Sequence, residues 1–304
     1  MNNGPDTSNG ESQPSALILG GKRGLLGQAL DYCFSTRGWT TTAQGGGDID
    51  IFDQQALAGL IDQVEPDVVF NTIAYTRVDQ AEDHAEEADR LNRRFPLMLA
   101  RVLKTRGIPL VTYSTDFVFD GRKQKPYQVS DNPNPLCVYG KSKLAGERAL
   151  QDSGLDKLMI IRTSWLFGPW KQNFVHTMVE LAKTKKTISV VHDQVGSPTY
   201  TLDLARYTGK LVNEGVTGVV HLCNSGQASW CELASEALSA SGSNCKVQAI
   251  DSSQYPQKAK RPPYSVLDTS SFSSVCREKP RPWPLALRDY MFGFEADEVG
   301  CDDV

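Results

Sequence analysis

The chain has 304 residues, 40% of them hydrophobic and 22% charged, a balance that suits one large globular domain or two unequal ones. A formal net charge of -4, with lysines and arginines scattered along the chain, argues against a nucleic-acid binder, which usually carries a basic stripe. Seven cysteines without a CxxC pair argue against a disulfide scaffold or a zinc site, and reduced thiols in a cytoplasmic protein are expected.

Residues 1–15 are rich in Asn, Gly, Ser and Pro and have no apolar core, so they read as a mobile tail, neither signal peptide nor membrane anchor. Ala16-Leu-Ile-Leu19 is an apolar run ending in glycines, followed by an amphipathic stretch from Leu25 to Thr36, which predicts strand, tight turn and helix. Trp39 to Ala43 predicts a second strand, Gln54 to Val64 a helix stopped near Pro66, and Val68 to Asn71 a third strand. Ala81 to Arg106 reads as one long helix bent at Pro96. Ile108 to Tyr113 is a fourth strand, Gly140 to Gln151 a helix and Leu158 to Thr163 a fifth strand. Beyond Trp165 the predicted elements are shorter: strands at Ile188–Val191 and Val219–Leu222, and helices at Leu202–Val212 and Ser229–Ala240.

This alternation implies an α/β protein with a Rossmann-type, doubly wound parallel sheet over residues 16–165. A smaller C-terminal lobe for substrate follows over 166–294. Its segments near 188–191 and 219–223 are candidates to return to the sheet, and 295–304 is an acidic tail.

Gly21-Lys22-Arg23-Gly24-Leu25-Leu26-Gly27 joins the first strand to the first helix. One glycine is expected to make the tight turn, one to admit a pyrophosphate, and one to let helix and strand pack closely. The helix N-terminus offers free N–H groups and a positive dipole end, so the segment predicts dinucleotide binding. The second strand ends Thr41-Thr42-Ala43-Gln44 without the acid that usually holds a ribose 2′-hydroxyl, while Lys22 and Arg23 offer cations to a 2′-phosphate. NADPH is favoured, with NADH possible, and solvated loop charges are the plain alternative for both cations.

Tyr139 and Lys143 stand at i and i+4 on one helix face. An ammonium beside a phenol favours the phenolate and moves its pKa toward the working range, and the phenol can then protonate a ketone oxygen as hydride arrives. Ser114 and Thr115 end the fourth strand at the carboxyl edge of the sheet, turned to opposite sides, and either hydroxyl can donate to the same oxygen.

Together these features resemble the extended short-chain dehydrogenase/reductase family. The segments 70–79, 114–121, 162–168, 193–200 and 261–265 are similar, in order, to the successive signatures of its dTDP-4-dehydrorhamnose reductase branch. The resemblance spans about Ala16 to Leu287. It implies a Thr115–Tyr139–Lys143 triad, with Tyr139 as acid, Thr115 at the developing oxyanion, and Lys143 on the phenol and the nicotinamide ribose. It further implies that Ala74, Tyr75 and Thr76 line the cofactor, that Asp50 and Ile51 meet the adenine, and that Arg23 reads the 2′-phosphate. Val78, Asp116 and Trp165 are implied as sugar contacts.

Phe117 departs from the tyrosine usual in that branch, which leaves other nucleotide-linked 4-ketosugars open as substrates. Where some members bind magnesium at a dimer interface through glutamates, this chain has Ala29 and Leu202, so no metal is expected and the chain is read as a monomer or homodimer. The family also contains a regulatory subunit of methionine adenosyltransferase, against which the 164–168 and 196–199 segments weigh. The four histidines show no ligand spacing, Trp230 reads as core, and Asn92 as a structural hydrogen bonder or part of a proton relay. No nucleic acid or membrane partner is expected.

Overall fold

The computed structural model describes residues 13–45 and 47–293. The expected N-terminal tail lies almost wholly, and the acidic C-terminal tail wholly, outside those residues. The chain runs β1 (Ser15–Leu19), α1 (Leu25–Ser35), β2 (Thr40–Gln44), α2 (Gln54–Val64) and β3 (Val68–Asn71). Two short helices, α3 (Val78–Ala81) and α4 (Ala85–Asp89), lead through a π-helical turn (Arg90–Arg94) into α5 (Phe95–Lys104). Then come β4 (Leu110–Thr115), α6 (Val138–Gln151) and β5 (Leu158–Thr163).

The expected single helix over 81–106 is therefore broken, and the distortion precedes Pro96 rather than sitting on it. Pro96 has no N–H for the carbonyl of Asn92 four residues back, and its ring crowds that carbonyl, so the turn before it widens. Gly146 of α6 makes room for the same carbonyl, since a Cβ there would lie 2.0 Å from the Asn92 oxygen.

The second half contains β6 (Leu166–Phe167), α7 (Phe174–Ala182), β7 (Thr187–Val191), β8 (Val195–Gly196), β9 (Thr199–Tyr200) and α8 (Thr201–Asn213). It continues with β10 (Gly218–His221), β11 (Ala228–Ser229), α9 (Trp230–Ala240), β12 (Lys246–Ile250), α10 (Ser270–Cys276) and α11 (Trp283–Phe292). The central sheet has six parallel strands in the order β10-β5-β4-β3-β1-β2. Strands β1, β3 and β5 are largely apolar runs, and β4 is buried along its whole length, because both faces of the sheet are covered.

Of the two segments considered for return to the sheet, Gly218–His221 pairs with β5, whereas Thr187–Val191 pairs with β12 in a separate two-stranded ribbon. On one face, Ala29, Leu30, Cys33 and Phe34 of α1 pack with Leu204, Ala205 and Tyr207 of α8. On the other, Leu57, Ile61, Leu99 and Leu103 of α2 and α5 cover Leu17, Val69 and Leu110. No helix among the described residues is long and apolar enough to cross a membrane.

Candidate active site

The glycine loop is held by its own backbone. Gly20 takes the left-handed φ of 88° that turns the chain out of β1, so the tight turn falls one residue before the three glycines singled out in the sequence. Those three are needed for close approach: a Cβ on Gly24 would lie 2.6 Å from the Gly20 carbonyl oxygen, one on Gly27 would lie 2.5 Å from the same atom, and one on Gly21 would lie 2.7 Å from Ala43 Cβ. Gly24 is also the N-cap of α1 and brings no side chain to the first-turn N–H groups, leaving that helix end fit for an anion. Leu25 is half-buried over this turn and Leu26 packs into the core.

Lys22 pairs with Asp48 at 2.7 Å, whereas Arg23 is exposed and forms no ion pair among the described residues. The two loop cations thus differ, and Arg23 is the one left to meet a phosphate. Asp50 is exposed, with its carboxylate accepting from the Phe52 N–H at 2.9 Å, and Ile51 packs at the rim of the apolar layer under α2.

Ala74, Tyr75 and Thr76 form the loop after β3, which Thr72 ties to the end of β1 by donating to the Leu19 carbonyl at 2.8 Å. Asn92 clamps the loop. Its Oδ1 accepts from the Tyr75 N–H at 2.9 Å, and its Nδ2 donates to the Tyr75 carbonyl at 3.2 Å and to Ser142 Oγ at 2.9 Å. Every polar atom of the Asn92 side chain is therefore spent on holding the loop at Tyr75 to α6. Val78 packs with Tyr75, Phe117 and Tyr139 in a small apolar cluster beneath that loop.

Strands β4 and β5 are parallel and in register, with Thr115 opposite Thr163. Helix α6 lays Tyr139 and Lys143 over the end of β4, both buried. Thr115 Oγ1 donates to Asp116 Oδ1 at 3.1 Å and accepts from the Phe117 N–H at 3.2 Å, and it lies near enough to the Tyr139 phenol to favour its ionised form. The Phe117 ring meets the Tyr139 ring edge-on at 5.7 Å. Burial pushes the carboxyl of Asp116 up to about 6, against the hydrogen bonds from Ser265 and Thr115.

The electrostatics differ from expectation in one respect. Burial drives the Tyr139 phenol well above its ordinary value, the Thr115 hydrogen bond opposes that shift, and the Lys143 ammonium is not among its causes. Lys143 Nζ instead donates to the Tyr113 carbonyl at 2.6 Å, and its own pKa falls to about 8 because it is desolvated, with Glu147 pulling the other way. Glu147 is itself locked to Arg162 at 2.7 Å in a buried ion pair below the triad.

Trp165 lies two residues past Thr163 and is half-buried, with its indole stacked face to face on Trp230 at 3.5 Å between ring centres. Three groups that sequence reasoning passed over belong to this region. Gly20 was hidden in a glycine doublet, Trp230 looked like core, and Ser265, whose Oγ donates to Asp116 Oδ2 at 2.5 Å, lay inside a quoted signature without a role. The Thr163 hydroxyl, beside Thr115, is buried with no hydrogen-bond partner. An orphaned hydroxyl at the carboxyl edge, glycines that tolerate no Cβ, an uncapped helix end and a free arginine together fit a dinucleotide and a polar substrate.

A profile of the RmlD substrate binding domain family matches residues 15–295. The chain belongs to that family. Within it, a dTDP-4-dehydrorhamnose reductase of Streptomyces griseus is 36% identical over 91% of this chain and 93% of its own. A dTDP-4-keto-6-deoxy-D-glucose reductase of Streptomyces niveus is 34% identical over 92% of this chain and 98% of its own. Among solved structures, the dTDP-4-dehydrorhamnose reductase of Bacillus anthracis in complex with NADP superposes with a TM-score of 0.88 at 31% identity, over 92% of this chain and 99% of that one. The family match therefore covers both the parallel sheet and the later segments that carry Trp165, Gly196 and Ser265.

Proposed function

We propose that the chain reduces the C4 ketone of dTDP-6-deoxy-L-lyxo-4-hexulose to give dTDP-L-rhamnose, with NADPH as reductant. The observation that carries this is the buried Tyr139 phenol next to the Thr115 hydroxyl, with Lys143 one helical turn away, in a chain whose glycine loop leaves Arg23 without an ion pair among the described residues. The relatives named dTDP-4-dehydrorhamnose reductase, and the one solved with NADP, support the same reading.

NADPH supplies the hydride when bound. Gly21, Gly24 and Gly27 with Leu25 and Leu26 would form the loop under its pyrophosphate, Arg23 would meet its 2′-phosphate, Asp50 and Ile51 the adenine, and Ala74, Tyr75 and Thr76 would line the side of the site. Tyr139 delivers its phenolic proton to the ketone oxygen, and a raised pKa keeps that proton in place at neutral pH. Thr115 has one hydroxyl hydrogen, committed to Asp116 in the free protein, and turns it toward the oxygen as negative charge develops there. Lys143, held by the Tyr113 carbonyl one helical turn from Tyr139, would orient the ribose. Val78, Asp116 and Trp165 contact the sugar. In this scheme residues 16–165 hold the cofactor and supply the three sugar contacts, part of 166–294 supports the substrate side, and the reaction runs in the cytoplasm, where six described cysteines stay free thiols.

The test is NADPH oxidation with the 4-keto sugar nucleotide generated in situ. Tyr139→Phe keeps the ring and removes the acid, so turnover falls by roughly 10²–10⁴-fold while the fold survives. Turnover unchanged in that variant would overturn the assignment. The Streptomyces niveus relative and Phe117 favour a second reading, a reductase of another 4-ketosugar, and a higher kcat/KM on the D-configured substrate would select it.

A further inference from the structure

Trp165 is one of four described non-glycine residues with positive φ, at 48°, a backbone conformation that persists only where its surroundings hold it. Three contacts do so. Its carbonyl accepts from the Thr199 N–H at 3.1 Å. Its indole lies so close to Gly196 that a Cβ there would come within 2.5 Å of the ring. Its face is covered by Trp230, with ring planes 4° apart and centres at 3.5 Å.

Trp230 is itself fixed. It opens α9 behind a complete capping box of Ser229 and Glu232, and β11, which leads into it, pairs antiparallel with β8, setting Ala228 opposite Gly196. The other side of β8 bonds to the 263–265 segment through Val195, and Ser265 there reaches Asp116. Glycine and tryptophan thus belong to one hydrogen-bonded strip that ends beside Thr115.

We propose that Trp230 is a positioning residue for the sugar subsite: it holds the Trp165 indole, in its strained backbone setting, as a rigid wall facing the triad. This rests on the reading above that Trp165 contacts the sugar. A flat apolar wall suits the C–H face of a deoxy sugar, and a wall free to swing would bind the same sugar less tightly without altering cofactor or proton transfer.

The test uses full-length Trp230→Ala, Trp230→Phe, Gly196→Ala and Trp165→Ala, each checked for fold by circular dichroism. Trp230→Ala is expected to raise KM for the sugar nucleotide about tenfold, with KM for NADPH within about twofold of wild type and kcat changed less than KM; Trp230→Phe, which keeps a stacking face, restores most of the loss. The exciton couplet of the stacked indoles, present in wild type, is lost in Trp230→Ala and in Trp165→Ala. Gly196→Ala, which pushes on the ring from elsewhere, raises the same KM and answers the question if Trp230→Ala fails to fold. A lower melting temperature with unchanged sugar KM in Trp230→Ala, or no couplet in wild type, overturns the proposal. If Trp165→Ala itself leaves sugar KM unchanged, it is the sugar contact that fails. If Trp165→Ala raises KM and Trp230→Ala does not, only the positioning role falls.

Discussion

Asp116 offers a quantitative check on the buried polar core of the site. Its carboxyl is 1% exposed, and burial raises its pKa from 3.8 to about 6, a shift of about two units. At about 1.4 kcal/mol per unit, that corresponds to on the order of 3 kcal/mol of difference between the neutral and charged forms in the folded protein. The sign follows from the direction. A folded protein that binds this proton more tightly than the unfolded chain has the contribution in full below about pH 4, and loses it as pH rises through about 6. Asp116→Asn keeps the shape, retains hydrogen-bonding groups for Ser265 and Thr115, and stays neutral at every pH. The variant should match wild type in urea unfolding at about pH 4 and exceed it by up to about 3 kcal/mol at about pH 7 and above. A stability difference that is the same at both pH values would refute the argument, because the carboxyl would then not be titrating in the buried state described.

Three further outcomes are expected. Arg23→Ala should weaken NADPH binding by roughly tenfold to a hundredfold, about 1.5–3 kcal/mol, and leave NADH binding nearly unchanged; equal losses in calorimetric titrations would make Arg23 a loop-stability residue. Gly27→Ala puts a methyl group 2.5 Å from the Gly20 carbonyl and 2.8 Å from Gly21 Cα, both backbone, so it should cost about 1–3 kcal/mol in denaturant unfolding and weaken NADPH binding as α1 is pushed off the turn. Glu147→Gln leaves the Arg162 guanidinium buried and uncompensated, which should cost about 3–5 kcal/mol and depress the Lys143 pKa further, seen as a lower melting temperature and a shifted alkaline limb of the activity profile.

How much of this was legible in the sequence depends on where each element lies. The sheet strands read clearly because Leu17, Val69, Val111 and Ile160 are buried on both faces, and such runs have few other fates. The lobe did not. Helix α7 and the strand Lys246–Ile250 were missed, the latter because its residues are exposed or half-buried and it pairs only with β7. Helices α10 and α11 were also unseen, in stretches of Ser and Pro that give weak periodicity. The candidate catalytic side chains were visible as spacings, Tyr139 to Lys143 above all. Their electrostatics were not, because the carbonyl that takes Lys143 comes from a strand 30 residues away in sequence. The same holds for Ser265 and Asp116, and for the two tryptophans, where long-range pairing makes the contact and no local pattern announces it.

The place of β10 and α8 bears on how the molecule is made. Residues 13–165 contain the glycine loop and the whole triad, yet β5 stays an open edge until Gly218–His221 arrives, and the apolar face of α1 stays bare until α8 lies on it. A nascent chain stopped at Trp165 holds the groups proposed for the chemistry on a half-covered sheet, prone to aggregate rather than to act. Competence therefore arrives late in synthesis, and residues 13–165 depend for their cover on the chain that follows them.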